Sequence, residues 1–144
     1  MLLAAVNQVS ATTGKQIRVA AFTGGRTENE VRTIHEMSIG LMPMEDSLWS
    51  RGKCSYKMLL YMACAVPVAA PPAGMNNEVQ SAGTVGFGTQ SEAEWSDSLN
   101  WLLNNPAKAK EMEQAGRNVV EKHYSLRSLA PRFAFYLREF SASA

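Results

Sequence analysis

Short apolar segments alternate with helical segments along this chain of 144 residues, and this alternation limits the possible folds more than any other feature. Four segments are rich in β-branched or other apolar residues and end near a glycine or proline: residues 16–22, 38–42, 66–70 and 84–88. Helical patterns separate them, so the strands are expected to run parallel and to be joined by helices. We therefore predict one α/β domain over residues 1–144, with a Rossmann-like parallel sheet flanked by helices.

Helix-start signals support this prediction. Thr27 with Glu30, and Ser91 with Glu94, have the spacing of a capping box, in which each side chain accepts a hydrogen bond from the other residue's backbone amide. Residues 105–106 are Asn-Pro, which is typical of an N-cap followed by the first helical position. Each signal predicts that a helix begins at that point.

Further helices follow from apolar spacing. Residues 2–9 are apolar at helical intervals, and Gly14 is a stop signal. This start lacks the basic residues of a signal peptide, so a buried helix is the preferred interpretation. Another helix is predicted from about residue 52 to residue 64, after a loop at residues 44–50. The segment 125–144 is predicted as a C-terminal helix with an early proline.

The charge balance and residue counts narrow the possible partners. Fourteen basic residues against thirteen acidic ones give a net charge of +1, which argues against a nucleic-acid binder that holds phosphates by charge. No apolar run approaches the roughly 18 residues of a membrane-spanning helix, although peripheral membrane contact fits the sequence.

Two histidines and two cysteines are too few for a zinc site. Two free thiols, Cys54 and Cys64, fit a cytoplasmic location.

The densest polar segment, residues 49–57, lies between a predicted strand and a predicted helix. A helix start offers unpaired amides and a partial positive charge, which suit a phosphate group. The segment adds cations, hydroxyl groups and a glycine. The predicted diphosphate ligands are Ser50, Arg51, Gly52, Lys53, Ser55 and Lys57. The alternative is a solvated basic helix start, and the glycine spacing of a Walker motif is absent.

Several stretches together resemble one protein family. They are SIGLMPM at residues 38–44, WSRGKCSYKMLLYMA at residues 49–63, VPV at residues 66–68, GMN at residues 74–76, Gly83-x-x-Gly86-Phe87, Glu94-Trp95 and Tyr124-Ser125-Leu126. From about residue 34 to residue 140, the chain is similar to the C-terminal, donor-binding half of retaining glycosyltransferases with the GT-B fold, of the group 1 or family 4 type. Against that pattern, we expect this chain to lack the opening strand of the sheet and the first GT-B domain.

The resemblance implies a site for a nucleotide sugar, with no obligatory metal or other cofactor. In this family, the loop and helical turn corresponding to residues 50–57 cradle the donor diphosphate. Gly74 corresponds to a turn beside the donor, and the position that commonly binds the ribose is Leu60, which cannot hydrogen-bond a hydroxyl group. Further candidates for sugar or nucleotide contacts, each of which has a purely structural or solvated alternative, are Glu45, Asp46, Trp49 and Glu78. No catalytic residue is assigned.

Two functions follow from this comparison. In the first, the chain is the nucleotide-sugar-binding part of a retaining glycosyltransferase that transfers a hexose to a glycan, lipid or other acceptor. Its partners would be the nucleotide sugar and the missing N-terminal domain or a partner chain. In the second, the chain is a non-catalytic or degenerate GT-B-like binding or scaffold module. A dehydrogenase-type nucleotide binder is disfavoured because no Gly-x-Gly-x-x-Gly follows a predicted strand.

Overall fold

The computed structural model describes residues 1–20 and 27–142, and over these residues the chain is mostly helical with one small parallel sheet. The strands are β1 (Gly40–Leu41), β2 (Val68–Ala70) and β3 (Gly86–Gly88), in the spatial order β1-β2-β3. The helices are α1 (Leu2–Thr13), α2 (Thr27–His35), α3 (Leu48–Arg51), α4 (Tyr56–Ala63), α5 (Met75–Ser81), α6 (Glu92–Asn104), α7 (Pro106–Val119) and α8 (Leu126–Ala142), with a π-helical segment (Val120–Tyr124) before α8. The α/β class and the parallel strands are confirmed.

The central strand β2 separates two apolar clusters. Val68 and Ala70 pack on one face with apolar residues of α4 and α5, while Ala69 packs on the other face with Ala5 of α1 and Trp95 of α6. Successive side chains of a strand point to opposite faces of a sheet, and all three β2 residues are fully buried. Helices therefore cover both faces of the sheet.

Gly86 allows β3 to lie against β2. Val68 pairs with Gly86 in the parallel register. A Cβ atom at Gly86 would lie 1.8 Å from the carbonyl oxygen of Val68. The glycine that weakens the strand pattern in sequence is thus required by the close approach of the two backbones.

The strand predicted over residues 16–22 is wrong over residues 16–20, which form no strand; residues 21 and 22 lie outside the described part. Ile17 packs against the cluster formed by α1 and α6, but Val19 is 48% exposed. The alternating pattern is present, yet this stretch pairs with no strand in the described sheet. Three of the four predicted strands are observed, and each is shorter than predicted.

The predicted helix at residues 52–64 begins later than expected. The observed helix α4 starts at Tyr56, and the short helix α3 occupies part of the predicted loop. Ser47 and Ser50 form a reciprocal capping box that starts α3. Ser55 then adopts a left-handed conformation with φ 53°, which separates α3 from α4.

The predicted helix starts have three outcomes. The Ser91 box is confirmed: the Glu94 amide donates to Ser91 Oγ at 3.3 Å, and the Ser91 amide donates to Glu94 Oε2 at 2.8 Å. Helix α7 begins at Pro106 as predicted, but the Asn105 side chain does not cap it and donates instead to the carbonyl oxygen of Trp101 at 2.8 Å. The Thr27 side chain lies outside the described part, although α2 begins at that residue.

The terminal helices follow the predicted bounds closely. Helix α1 ends at Gly14, which has φ 67° and serves as its C-cap. Helix α8 contains Pro131 and buries none of its side chains. None of the described helices is both long enough and apolar enough to cross a membrane. Cys54 precedes α4, Cys64 follows it, and both are free thiols.

Candidate ligand-binding site

An open cavity of about 430 Å³ lies at the carboxyl edge of the sheet. The segments that follow β1, β2 and β3 all contribute to its wall, together with the start of α1. The lining residues are Met1, Leu2, Pro43, Met44, Glu45, Asp46, Pro71, Ala73, Gln90 and Trp95. Open parallel sheets bind ligands beyond the carboxyl ends of their strands, and the volume suits a small molecule.

Asp46 and Arg51 form a bidentate ion pair at the cavity. Arg51 Nε donates to Asp46 Oδ1 at 2.7 Å, and Arg51 Nη2 donates to Asp46 Oδ2 at 2.8 Å. The hydrogen bond from Arg51 lowers the pKa of Asp46, and the same bond raises the pKa of Arg51. Both side chains are largely exposed. An anionic ligand would therefore have to compete with Asp46 for the guanidinium group.

The Ser50 side chain forms hydrogen bonds within its own loop, which also contains Glu45. Its hydroxyl accepts a hydrogen bond from the Ser47 amide at 2.8 Å and donates to the carbonyl oxygen of Glu45. The residue is 5% exposed. The hydroxyl predicted to contact a phosphate thus holds the turn between β1 and α3, while Glu45 remains exposed at the cavity.

Ser55 and Asn76 connect the starts of α4 and α5. Ser55 Oγ donates to Asn76 Oδ1 at 2.6 Å, and Asn76 Nδ2 donates to the carbonyl oxygen of Pro71 at 3.0 Å. All three residues are buried. This chain of hydrogen bonds fixes the segment after β2, including the cavity residue Pro71, against the start of α4.

Gly74 brings the same segment against α3. It has φ 55°, and a Cβ atom there would lie 2.5 Å from the carbonyl oxygen of Arg51. The contact is with backbone, which cannot move aside as a side chain can. The turn at Gly74 therefore packs directly on the backbone of Arg51, the residue whose side chain pairs with Asp46.

The remaining predicted phosphate ligands, Gly52, Lys53 and Lys57, lie between α3 and α4 and in the first turn of α4, and the predicted sugar or nucleotide contact Trp49 lies in α3. Lys53 and Lys57 are exposed, and Trp49 of α3 is 81% exposed. Gly52 has φ −79°, and an added Cβ atom would meet the carbonyl oxygen of Trp49 at an ordinary 3.6 Å. The structure thus requires glycine at position 74 but not at position 52.

Two other predicted positions lie away from the cavity wall. Glu78 of α5 is exposed and accepts a hydrogen bond from the Tyr124 hydroxyl at 3.5 Å. Burial raises the pKa of Tyr124, and the neighbouring Glu78 carboxylate raises it further. Leu60 packs against the larger apolar cluster. The leucine at the ribose position of the resemblance therefore has a packing role.

Sequence reasoning missed two buried polar residues near this edge. Asn76 is 1% exposed and forms the hydrogen bonds to Ser55 and Pro71 described above. Its position directly after Gly74 and Met75 is the sequence feature that could have indicated a role at the site. Thr89 follows β3 and is fully buried, and its hydroxyl has no hydrogen-bond partner in the described part of the chain. Nothing local distinguishes Thr89 from a threonine at an exposed strand end.

The site contains no cluster suited to a metal: within residues 1–20 and 27–142, no group of three or more His, Cys, Asp or Glu side chains is arranged to hold an ion. Comparisons with protein-family models, with curated proteins and with solved structures found no match to this chain.

Proposed function

We propose that the chain is the nucleotide-sugar-binding part of a retaining glycosyltransferase with a GT-B-type, Rossmann-like fold. The observation that carries the proposal is the open cavity at the carboxyl edge of the parallel sheet, bordered by carboxylates and close to a cationic helix start. This position is where open α/β sheets bind nucleotides. The sequence resemblance supports the choice of a nucleotide sugar.

In this proposal the donor diphosphate binds near the α3–α4 connection. The first-turn amides of α4 and the side chains of Lys53, Lys57 and Arg51 attract its negative charge. During transfer of the hexose, the same groups stabilise the charge that develops on the departing nucleoside diphosphate. The cavity carboxylates Glu45 and Asp46 accept hydrogen bonds from the sugar hydroxyls.

A thermal melt of the purified chain tests binding. A ligand at a hundredfold its Kd adds about 2.7 kcal/mol to the free energy of unfolding, which raises Tm by roughly 5–10 °C for a domain of this size. The panel contains nucleoside diphosphates and nucleotide sugars with different bases. A selective shift supports the proposal and identifies the base.

Lysine variants locate the diphosphate. Lys53→Ala and Lys57→Ala are each expected to raise the Kd for the selected nucleoside diphosphate by about three- to tenfold, because an exposed charged contact contributes about 1 kcal/mol. Lys110→Ala, an exposed lysine on α7, is the matched control. Equal Kd values for all three variants and the unaltered chain, measured by calorimetry, would refute this location.

Asp46→Asn separates the two roles at the cavity. Removing the carboxylate charge weakens the hold on Arg51, so nucleoside diphosphate binding is expected to become tighter. If Asp46 accepts a hydrogen bond from a sugar hydroxyl, the nucleotide sugar loses that contact in the variant. The chain is then expected to prefer the nucleotide sugar over the nucleoside diphosphate by a smaller factor than before. If neither affinity changes, Arg51 and Asp46 are not part of the site.

A non-catalytic or degenerate binding or scaffold module is the second candidate. Two observations favour it: the Ser50 and Ser55 hydroxyls form hydrogen bonds within the protein, and Leu60 packs in an apolar cluster. These side chains are then not available to bind a nucleotide sugar. A cooperative melt with no shift across the whole panel supports this alternative. If the chain melts cooperatively only when a GT-B N-terminal domain is fused to it, the result supports the proposal that the chain is part of a glycosyltransferase.

A further inference from the structure

Asn76 is a buried polar residue that lies between the two parts of the candidate site. It belongs to the first turn of α5 and is 1% exposed. Its amide oxygen accepts a hydrogen bond from Ser55 Oγ at 2.6 Å, and its amide nitrogen donates to the carbonyl oxygen of Pro71 at 3.0 Å. Both polar atoms of the side chain are therefore bonded inside the protein, each to a different segment of the site.

Ser55 lies at the start of α4, near which the donor diphosphate is proposed to bind. Its backbone has the left-handed conformation, with φ 53°, which is uncommon for a residue other than glycine. Its carbonyl oxygen accepts the first hydrogen bond of α4, from the Leu59 amide at 3.0 Å. A residue in such a conformation persists only where its surroundings hold it, and the buried bond to Asn76 is a contact that can do so.

Pro71 belongs to the other part of the site. It follows β2 directly and lines the cavity. The bond from Asn76 fixes its carbonyl oxygen, and Gly74, which lies between the two residues in sequence, packs on the backbone of Arg51. The segment 71–76 therefore contacts both α3 and the start of α4. A change at Asn76 is expected to reach the cavity wall and the helix start together.

We propose that Asn76 is a positioning residue that holds the start of α4 and the cavity wall in the geometry that binds a nucleotide sugar. Asn76 is buried and does not line the cavity, so it acts through Ser55 and Pro71. The inference rests on the proposed function, and it adds that diphosphate affinity and sugar preference both depend on one buried side chain. Residues that share a buried hydrogen bond respond together, so the effects of changing Ser55 and Asn76 on diphosphate affinity should not add.

Calorimetry with UDP, GDP and ADP, and with the glucose conjugate of each, tests the proposal. Ser55→Ala removes only the bond to α4 and is expected to raise the Kd for the nucleoside diphosphate about fivefold, because an anion at a helix start gains up to about 1 kcal/mol. Asn76→Ala is expected to raise this Kd by the same factor. It should also lower the preference for the nucleotide sugar about threefold, because the Pro71 carbonyl oxygen loses its donor. Ser55→Ala should keep that preference.

Val85→Ala is the matched control for a loss of stability. Val85 is 1% exposed and precedes β3, at the amino edge of the sheet and thus opposite to the cavity. The substitution removes buried apolar atoms and lowers Tm, but the Kd values should stay within about twofold of those of the unaltered chain, because the site is distant. Circular dichroism establishes that each variant is folded at the assay temperature. If Asn76→Ala is not, Ser55→Ala serves for the diphosphate and exchange measurements.

Amide hydrogen exchange tests the same role without a ligand. The Leu59 amide bonds to the Ser55 carbonyl oxygen and reports the start of α4, while the Leu99 amide, within α6, reports unfolding of the whole chain. Asn76→Ala is expected to accelerate exchange at Leu59 about tenfold more than at Leu99. In Val85→Ala, the Leu59 amide should accelerate no more than the Leu99 amide.

Three outcomes would overturn the proposal. Equal Kd values for Ser55→Ala, Asn76→Ala and the unaltered chain would remove the positioning role and leave the proposed function intact. A Leu59 amide that accelerates no more than the Leu99 amide in Asn76→Ala would also remove it, because the start of α4 would then not depend on Asn76. Absence of binding by the unaltered chain would refute the proposed function, and this inference with it.

Discussion

Asn76 is the residue whose removal should most clearly connect the fold with the candidate site. Its amide is 1% exposed, accepts a hydrogen bond from Ser55 Oγ at 2.6 Å and donates one to the carbonyl oxygen of Pro71 at 3.0 Å. Asn76→Ala removes both bonds together. It leaves a buried hydroxyl and a buried carbonyl oxygen without their partners.

The size of the effect follows from these two orphaned groups. Each buried polar group that loses its partner costs about 1–3 kcal/mol, so the free energy of unfolding should fall by about 2–6 kcal/mol. For a domain of this size, 1 kcal/mol changes Tm by about 3 °C, and the expected decrease in Tm is roughly 6–18 °C. Ser55→Ala should cost less, about 1–2 kcal/mol, because only Asn76 Oδ1 loses a partner.

Urea unfolding followed by circular dichroism measures these differences. Asn77→Ala is the matched control, because Asn77 is the next residue of α5 and is exposed; its cost should stay within about 0.5 kcal/mol. The double variant Ser55→Ala with Asn76→Ala should cost less than the sum of the single costs, since the two residues share a bond. If Asn76→Ala costs no more than Asn77→Ala, the buried hydrogen-bond chain does not stabilise the fold.

Three further predictions concern the sheet and its neighbouring helix start. Gly86→Ala should prevent cooperative folding, because the new Cβ atom would lie 1.8 Å from the Val68 carbonyl oxygen; Gly52→Ala, which meets only ordinary contacts, should melt within a few degrees of the unaltered chain, as measured by circular dichroism. Backbone hydrogen bonds from Ser91 and Gln90 lower the pKa of Glu94, so its carboxylate stabilises the fold above its unfolded pKa of about 4.3 and loses that effect as the pH falls through its folded pKa. The urea midpoints of the unaltered chain and Glu94→Ala should thus differ most at pH 7 and converge towards pH 3, and a constant gap would contradict the capping role. Thr89→Val should raise the free energy of unfolding by about 1 kcal/mol in urea titrations, since the buried hydroxyl has no partner in the described ranges; a lower value would mean that the hydroxyl is hydrogen-bonded in solution.

The elements that could be predicted from sequence are those whose causes are local. The Ser91 capping box needs only residues 91–94, and the end of α1 needs only a glycine that adopts positive φ. The strands in residues 38–42 and 66–70 were recognisable because each is a short, mainly apolar segment followed directly by a proline. Residues 16–20 show the limit, since alternation is present there but a strand also needs a neighbour to pair with.

A cavity lies beside the segments that follow the three strands, but its use as a nucleotide-sugar site stays a prediction. The contacts of the predicted site residues could not be read from the sequence. Ser55 has a left-handed conformation, and its hydroxyl donates to Asn76, which lies twenty-one residues further along the chain. Ser50 was predicted to bind the diphosphate because its hydroxyl lies in the polar segment before α4. Its capping role was not predicted, because the box it forms with Ser47 has serine where glutamate or glutamine is usual.

The internal hydrogen bonds of these polar groups limit how a ligand could bind at this edge of the sheet. The hydroxyls of Ser50 and Ser55 and the guanidinium of Arg51 all have partners within the protein. A ligand gains little from replacing a hydrogen bond that already exists, because each exchange leaves a former partner to be satisfied elsewhere. Affinity for a ligand at this edge would therefore come from the amides of the helix start, the charge of Lys53 and contacts with the cavity wall. Arg51 can add to it only if Asp46 finds another donor, and the hydroxyl groups of a bound sugar are suitable ones.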